Sequence, residues 1–438
     1  MEKKKIKNNF FSGLLNLNFN RNRVFLFLFN VIFIYIIINF LILFIYFEKN
    51  ISNYTRIEWL INYQGGFVRR ALLGEIINQY YNLINGSYYT IIKIFSFIVY
   101  SIIVYYFYII TKILYEKNIF LGLLVLLSPA TIFFSIYDTE SFCRKEIFII
   151  ALIFYHSHIA KLAINKKINI EEYICKFKLI IIISLCINSL FYDLQFFFLP
   201  VHLLITYIVI KSSRGNEKIL KLYLLPLILN IFIIYKSTNF SNIEYIYKSL
   251  YYTGITFKPD DAIWYLQGNI FVALGQTLKF FFYYSYAAFL EFFISFILSV
   301  GVILFLFNFY IKNISHNYIN YFNIIITVIA FVLLMLSVDF GRLFYILCMH
   351  IIPFFYIFEI KKKIIKFPIN IFASLFLFCY IFLWSLPHGP IGYGFSIYNS
   401  GIIHNAKKNI SHAFSLLSDE QKLKVPSFIK LELEKYNK

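Results

Sequence analysis

VFLFLFNVIFIYIIINFLILFIYF, at residues 24–47, decides the fold class of this chain. A transmembrane helix needs about 20 consecutive residues that are mostly apolar, and this run supplies them. It is too long for the core of a signal peptide, and it lacks a small-residue cleavage site. The preceding residues 1–23 are basic and polar, which predicts a cytoplasmic N-terminus because basic flanks stay on the cytoplasmic side.

The composition of the whole chain points to the same class of protein. Of the 438 residues, 60% are hydrophobic and only 14% are charged, and the mean hydropathy is +0.71. A soluble domain carries about a quarter charged residues. The formal net charge of +19 comes from cations that cluster between apolar runs, so it marks topology and argues against a nucleic-acid partner. The five cysteines have no paired spacing, which argues against a disulfide framework and a zinc site.

Apolar runs alternate with polar and basic breaks along residues 24–386. They predict an all-α protein, a polytopic transmembrane helical bundle of about eleven spans with short interfacial helices on its outer face. Basic breaks are expected inside, and segments 48–90 and 236–279 are expected to be outer loops. The polar tail 387–438 is expected on the periplasmic side. The predicted spans are residues 24–47, 91–110, 119–137, 147–160, a pair of short helices within 179–210 that turns at Asp193, 222–235, 280–310, 321–338, 343–360 and 368–386.

The segment NYQGGFVRRALLGE at residues 62–75 differs most from its apolar surroundings. Gly65 and Gly66 let the backbone come close to a ligand, and the helical spacing of the apolar residues that follow predicts a short helix beginning at the glycines. An open helix N-terminus beside the guanidinium groups of Arg69 and Arg70 suits an anionic phosphate. The alternative is a helix in the lipid headgroup layer. Arg69 should point into the protein in the first case and into headgroups in the second.

The expected topology places further cations on the same outer side. Arg144, Lys145 and Arg342, like Arg69 and Arg70, fall in the first turns of helices that start from the outer face. Cations there oppose both the orientation rule and the positive end of the helix dipole. Three such placements indicate an anion that offsets them. Two kinds of anion stay open, namely a lipid-linked pyrophosphate or local carboxylates such as Asp138, Glu140 and Asp339.

Carboxylates on the outer side are the candidates for catalysis. Transfer of a sugar to a hydroxyl group needs a base that takes the acceptor proton, and Asp or Glu can serve. Glu58, Asp138 and Asp339 are the predicted catalytic residues. Spacing does not rank them against Glu140 and Asp193, and Asp193 has the alternative role of a helix cap. The sequence contains no phosphate-binding loop, nucleophile elbow or metal-ligand spacing, so no cofactor and no metal are expected.

Three segments, in order along the chain, carry a family resemblance. GGFVRRALLGE at residues 65–75, RKEIF at residues 144–148 and DFGR at residues 339–342 resemble motifs of the polymerases of O-antigen and capsule repeat units. They are more loosely similar to glycosyltransferases of the C-type membrane fold. Two positions depart from the pattern. Ala71 stands in place of an expected glycine, and Tyr192-Asp193 stands in place of an expected His-Glu pair, which puts a catalytic role of Asp193 in question.

The resemblance implies a polymerase of the bacterial inner membrane whose active face is periplasmic. Such an enzyme joins oligosaccharide repeat units linked to polyprenyl pyrophosphate, and a flippase and a chain-length protein are implied partners. Gly65, Gly66 and the five outer cations then hold the pyrophosphate, while an outer carboxylate activates the acceptor hydroxyl. Two alternatives stay open. One is a glycosyltransferase that adds single sugars from a polyprenyl-phosphate donor, and the other is a flippase for lipid-linked glycans.

Overall fold

The computed structural model describes most of the region in which spans were expected. The described residues are 21–84, 87–138, 140–237, 242–254, 262–263, 266, 275, 286–311, 316–336, 339–359 and 371–387. The predicted basic N-terminus up to residue 20, most of the predicted outer loop at 236–279 and the tail from residue 388 lie outside them. Every regular element in the described part is a helix, which confirms the all-α prediction.

Seven helices in the described part are long and apolar enough to cross a bilayer. The protein is therefore a helical membrane protein. Two shorter apolar helices, at Asn317–Leu333 and Phe340–Tyr356, fall below that length, so the expected eleven spans and the interfacial helices stay predictions. The seven candidate spans are Leu26–Ile45, Tyr88–Lys117, Glu146–Ile164, Ile170–Phe191, Gln195–Ser212, Glu217–Lys236 and Leu290–Tyr310.

The chain divides into two compact units. The first contains helix α1 (Arg21–Ile45), and the second begins at Tyr46. Single-turn helices lie at Phe47–Asn50 and Phe134–Tyr137, and 3₁₀ segments lie at Glu217–Tyr223 and Tyr251–Thr253. The longer helices of the second unit are α2 (Asn53–Leu60), α3 (Leu72–Ile84), α4 (Tyr88–Lys117), α5 (Ile119–Leu127), α6 (Glu146–Ile164), α7 (Ile170–Phe191, with a π segment at Phe177–Ile182), α8 (Gln195–Ser212), α9 (Leu224–Ser237), α10 (Ile243–Ser249), α11 (Tyr286–Phe296, continued by a π segment at Ile297–Gly301 and by Val302–Tyr310), α12 (His316–Leu336), α13 (Phe340–Tyr356) and α14 (Ile371–Phe382).

Most predicted spans differ from the structural helices by several residues at their ends, and two differ more. The expected span at residues 119–137 is broken, because α5 ends at Leu127 and Ser128 is extended, with ψ of 130°. Ser128 precedes Pro129, and a residue before proline avoids the helical region. The expected pair within 179–210 does turn at Asp193. Its first helix, however, already begins at Ile170, so it is a full-length span rather than a short one.

Helix α6 lies at the centre of the second unit, where it packs against α4, α8 and α13. Helices α2 and α3 pack closely against each other. A Cβ atom added to Gly74 of α3 would lie 2.0 Å from the backbone oxygen of Ile61, so only glycine allows this approach. The starts of α6, α8 and α13 come together at the same end of the bundle as α2 and the loop before α3. That meeting point contains the charged residues described next.

Candidate functional site

The glycine-arginine segment forms a loop rather than the start of a helix. Helix α3 begins at Leu72, so the prediction of a helix starting at Gly65 and Gly66 was wrong, as was the placement of Arg69 and Arg70 in a first helical turn. Gly66 has a φ of 109° and Arg70 a φ of 67°. A side chain at positive φ costs on the order of 1–3 kcal/mol unless its surroundings hold it there.

The carboxylate of Asp193 binds both arginines of this loop. Arg69 Nη1 lies 3.0 Å from Asp193 Oδ2, and Arg70 Nη2 lies 2.8 Å from Oδ1. Burial acts to raise the pKa of Asp193, but the charges of Arg70 and Arg69 outweigh it and hold that pKa below its ordinary value. Arg69 therefore points toward a carboxylate of the protein, and Asp193 joins the α7–α8 turn to the loop.

Glu58 of α2 lies between two further guanidinium groups. Its Oε1 is 3.4 Å from Arg70 Nη1 and 3.5 Å from Arg144 Nη2, and its side chain is fully buried. Burial raises the pKa of this carboxyl, yet Arg144 and Arg70 together lower it below the ordinary value. Glu58 is therefore ionised at neutral pH. Its second oxygen, Oε2, is buried and has no hydrogen-bond partner in the described part of the chain.

Arg144 and Arg342 share the carboxylate of Asp339. Arg342 Nε lies 2.8 Å from Asp339 Oδ2, whereas Arg144 Nη1 lies 3.6 Å from the same oxygen. Glu146, the first residue of α6, is buried with its Oε1 3.7 Å from Arg342 Nε. Among the described residues, Arg144 makes only ion pairs of 3.5 and 3.6 Å, which are longer than charge-assisted hydrogen bonds of about 2.7–2.9 Å. Its Nε is also buried without a hydrogen-bond partner among the described residues.

Two tyrosine rings make cation–π contacts with guanidinium groups of this site. The Tyr192 ring lies under Arg70, and the Tyr54 ring lies under Arg144, each 4.7 Å from the guanidinium carbon. The Tyr192 hydroxyl also accepts a hydrogen bond from Arg342 Nη1 at 3.2 Å. Such cation–π contacts contribute about 0.5–2 kcal/mol each. They fix the planes of the guanidinium groups without neutralising their charge.

Lys145 is the least ordinary cation of the group. It is fully buried at the start of α6, and its Nζ donates a hydrogen bond to the backbone oxygen of Arg70 at 2.6 Å. Burial lowers the pKa of Lys145 to about 7, with the neighbouring carboxylate of Glu58 opposing the shift and Arg70 adding to it. Lys145 therefore changes charge near neutral pH.

The turn before Arg144 is held by its own contacts. Asp138 accepts hydrogen bonds from the Ser141 hydroxyl at 2.7 Å and from the Glu140 backbone N–H at 3.2 Å. Cys143 has a φ of 62°, and its backbone oxygen accepts a 2.6 Å hydrogen bond from the indole of Trp59 on α2. These contacts orient the Arg144 side chain toward Glu58. The structure shows Asp138 in this turn, and its predicted catalytic role stays a prediction.

We use the name charged cluster for the nine ionisable residues that meet here. Seven of them had been predicted as site residues, and Glu146 and Asp193 are additions. Of the remaining predicted site residues, Gly65 and Gly66 lie in the loop that carries the two arginines, and Asp138 lies in the turn before Arg144. The nine members are Glu58, Arg69, Arg70, Arg144, Lys145, Glu146, Asp193, Asp339 and Arg342.

Sequence reasoning missed three residues that shape the cluster. Glu146 was read only as part of a motif, although a carboxylate at the first position of a helix that follows two cations is a signal of its own. Tyr192 stood beside Asp193 at the break of an apolar run, which was a usable signal. Tyr54 lies one turn before Glu58 on α2, and nothing in its local sequence marked it.

The charge balance of the cluster determines what it can bind. Its nine described members are five cations and four carboxylates, so with all groups ionised it carries one excess positive charge. Arg144, Lys145 and Arg342 stand at the N-terminal ends of α6 and α13, where the helix dipoles add partial positive charge. A buried excess of positive charge is unfavourable without a counterion. The arrangement therefore suits an anion with several oxygens, such as a phosphate.

Comparisons with known proteins supply no identity. No family model, no curated protein and no solved structure matches this chain. In the described part of the chain, no group of three or more His, Cys, Asp or Glu side chains could hold a metal ion.

Proposed function

We propose that the charged cluster binds the pyrophosphate of a polyprenyl-linked oligosaccharide, and that the protein is a membrane glycosyltransferase that joins such repeat units. The proposal rests on one observation. Four cations of a helical membrane protein, Arg70, Arg144, Lys145 and Arg342, lie together in one largely buried cluster with net positive charge. A lipid-linked substrate keeps its anionic group beside the bilayer, which is where a membrane protein can reach it.

Of the local carboxylates named as the alternative anion, Asp339 pairs with Arg144 and Arg342, while Asp193 and Glu58 were not named for this role. The geometry of these ion pairs divides the arginines into two groups. Asp193 holds Arg69 and Arg70 at 2.8–3.0 Å, and these pairs serve the architecture of the loop. In the part of the chain that the structure describes, the closest carboxylate oxygen to the Arg144 guanidinium lies 3.5 Å away. Arg144 is therefore the guanidinium that gains most from a phosphate, with Lys145 beside it as a second donor. Planar guanidinium groups bind phosphate oxygens in pairs, which favours this assignment.

The reaction releases a negatively charged pyrophosphate and a proton. The bond between the donor sugar carbon and the pyrophosphate oxygen breaks, a bond from that carbon to the acceptor oxygen forms, and the acceptor proton needs a base. Cations held in place around the leaving group stabilise the charge that develops on it. Glu58 supplies the base in this proposal, because it is ionised and its Oε2 has no hydrogen-bond partner among the described residues.

The test measures glycan chain length in cells in which the chromosomal copy carries Arg144→Ala, Arg342→Ala or Arg69→Ala. Normal protein level with surface glycan of single repeat units is the expected result for Arg144→Ala and Arg342→Ala, and Arg69→Ala should give the same defect. Arg214→Ala is the matched control, because Arg214 is exposed in the loop after α8. Long chains in both the Arg144 and Arg342 variants at normal protein level would contradict the proposal.

The same experiment separates the two other candidate functions. Loss of a single-sugar transferase shortens or alters the repeat unit itself, whereas loss of a polymerase leaves complete single units. Loss of a flippase leaves no repeat units at the cell surface. Mass analysis of the lipid-linked and surface glycans in each variant distinguishes these three outcomes.

A further inference from the structure

The loop before Arg69 and Arg70 contains a pair of stacked aromatic rings. The Gly66 backbone N–H donates to the Tyr63 backbone oxygen at 2.9 Å, and Gly66 has a φ of 109°. This hydrogen bond closes a tight turn whose conformation glycine adopts at little cost. Beside the turn, the rings of Tyr63 and Phe67 stack with centroids 5.7 Å apart and planes 14° from parallel. Tyr63 is partly exposed, and Phe67 is 39% exposed.

Contacts on both sides hold this turn in place. The Asn62 side chain donates to Ser249 Oγ of α10 at 2.9 Å and accepts from the Gln64 backbone N–H at 3.1 Å. On the other side, the Phe67 ring meets the Phe232 ring of α9 edge to face, with 5.7 Å between the centroids. The two stacked rings are therefore held in place before a ligand arrives, which lowers the entropy that binding costs.

Polar side chains adjoin the aromatic pair. Glu75 of α3 accepts hydrogen bonds from the Tyr63 backbone N–H at 3.1 Å and from Gln64 Nε2 at 3.2 Å. It also accepts one from Gln79 Nε2 at 3.1 Å. Both glutamines are exposed. Their bonds to Glu75 use N–H donors, so each amide oxygen can accept a hydrogen bond from a hydroxyl group.

An exposed aromatic side chain beside amide groups suits a sugar. A pyranose has a face of C–H groups that packs on an aromatic ring, because the negative face of the ring attracts the C–H hydrogens. Its hydroxyl groups need donors and acceptors at the edge of that ring. The aromatic residues that anchor proteins at the membrane surface are mainly Trp and Tyr, whereas the more exposed ring of this pair is Phe67.

The aromatic pair lies next to the charged cluster along the chain. Phe67 precedes Arg69 by two residues, which is at most about 7 Å of backbone. Arg69 and Arg70 both bind Asp193 within the cluster. A glycan whose pyrophosphate is held by the cluster therefore has its first sugars within reach of the two rings.

We propose that the stacked rings of Tyr63 and Phe67 form a carbohydrate subsite for the glycan part of the lipid-linked substrate. The rings pack on the C–H face of a sugar, and the amides of Gln64 and Gln79 bind its hydroxyl groups. The subsite uses no member of the charged cluster and contacts no phosphate. It rests on the proposed function, because the anion held by the cluster must carry a glycan.

The test measures the binding of two probes to the full-length protein in detergent by isothermal titration calorimetry. One probe is the phosphate-free repeat-unit oligosaccharide released from the surface glycan of the cells that make the protein. The other probe is inorganic pyrophosphate. Phe67→Ala should weaken binding of the oligosaccharide about tenfold, because it removes one ring of the pair, and should leave binding of pyrophosphate unchanged. Arg144→Ala should have the reverse effect.

Two control variants separate the aromatic contact from a general effect of the substitution. Phe67→Tyr keeps a ring at this position and should bind the oligosaccharide like the wild type. Phe95→Ala is the matched control, because Phe95 of α4 has the same exposed fraction of 39% and is not part of the turn. If Phe67→Ala does not fold, Gln79→Leu replaces it, since it removes only an exposed amide and should weaken binding of the oligosaccharide severalfold.

Two results would overturn the subsite. One is a wild-type protein that does not bind the oligosaccharide. The other is an oligosaccharide affinity that is equal in the wild type and in a folded Phe67→Ala or Gln79→Leu variant, which would leave the rings as membrane anchors. A pyrophosphate affinity that Arg144→Ala does not change would contradict the proposed anion site alone, so the two failures are distinguishable.

Discussion

Lys145 makes anion binding by the charged cluster depend on pH. Its pKa of about 7 lies below the ordinary value of 10.5 for lysine, because the side chain is fully buried. The cluster therefore loses one positive charge as the pH rises through about 7. If a diphosphate binds only the protonated form, its affinity falls about tenfold for each pH unit above that value, or about 1.4 kcal/mol per unit.

The assay titrates full-length protein in detergent with a short-chain polyprenyl diphosphate sugar, whose own charge is constant near neutral pH. Wild-type affinity should be highest below pH 7 and fall steadily above it. Lys145→Met should bind weakly at every pH, since it lacks the charge. Lys145→Arg should bind with no pH dependence in this range, since arginine stays protonated. A wild-type affinity that does not change across neutral pH would refute the reasoning, as would a Lys145→Met profile that still falls.

Protein stability should move in the opposite direction over the same pH range. The pKa of Lys145 is lower in the folded protein than the ordinary 10.5, so above pH about 7 the unfolded state binds more protons than the folded state. Stability then rises with pH between about 7 and 10.5 as far as this residue is concerned. Weaker binding at high pH therefore cannot be attributed to unfolding through Lys145. Thermal unfolding followed at each pH checks this sign.

Two further predictions concern stability and use thermal unfolding of the full chain in detergent. Gly74→Ala should lower the free energy of unfolding by about 1–3 kcal/mol, because the added Cβ would clash with the Ile61 backbone. Gly215→Ala is the control, because a Cβ at Gly215 would have its nearest neighbour 3.5 Å away. Equal melting temperatures of the two variants would contradict the close packing of α2 and α3. Asp193→Asn should cost about 1–3 kcal/mol, because it leaves two partly buried arginines poorly compensated. Glu172→Gln, at an exposed ion pair, should cost no more than about 1 kcal/mol, and equal losses in the two variants would contradict the role of Asp193.

The fold class could be read from the sequence, but the bounds of individual spans could not. Apolar length is a direct consequence of bilayer thickness, which is why the all-α prediction is confirmed. Helix ends depend on finer effects. The break at Ser128 follows from Pro129, which is a signal present in the sequence. The start of α7 at Ile170 had no such signal, because Lys176 lies in this helix and the positive-inside rule had assigned it to a cytoplasmic loop.

Most members of the charged cluster could be grouped from the sequence, because Glu58, Arg144 and Asp339, although far apart in the chain, were all expected on the same side of the membrane. Their pairing could not be obtained in that way. Arg70 adopts a positive φ that its own residue type does not favour, and this conformation is supported by Asp193, more than a hundred residues away. A local reading therefore placed it in a helix. Contacts of this kind follow from tertiary packing, and helical periodicity carries no information about them.

Within the charged cluster, some ion pairs hold the structure in place, whereas one residue, Arg144, is best placed to bind a ligand. The short ion pairs, Arg70 with Asp193 and Arg342 with Asp339, fix the loop and the start of α13. Arg144 is as deeply buried as Arg342, yet its carboxylate contacts are 3.5 and 3.6 Å long. A guanidinium removed from water and only loosely compensated gains most when a polyanion arrives. Substitution of Arg144 should therefore weaken ligand binding more than folding, and substitution of Asp193 should do the reverse.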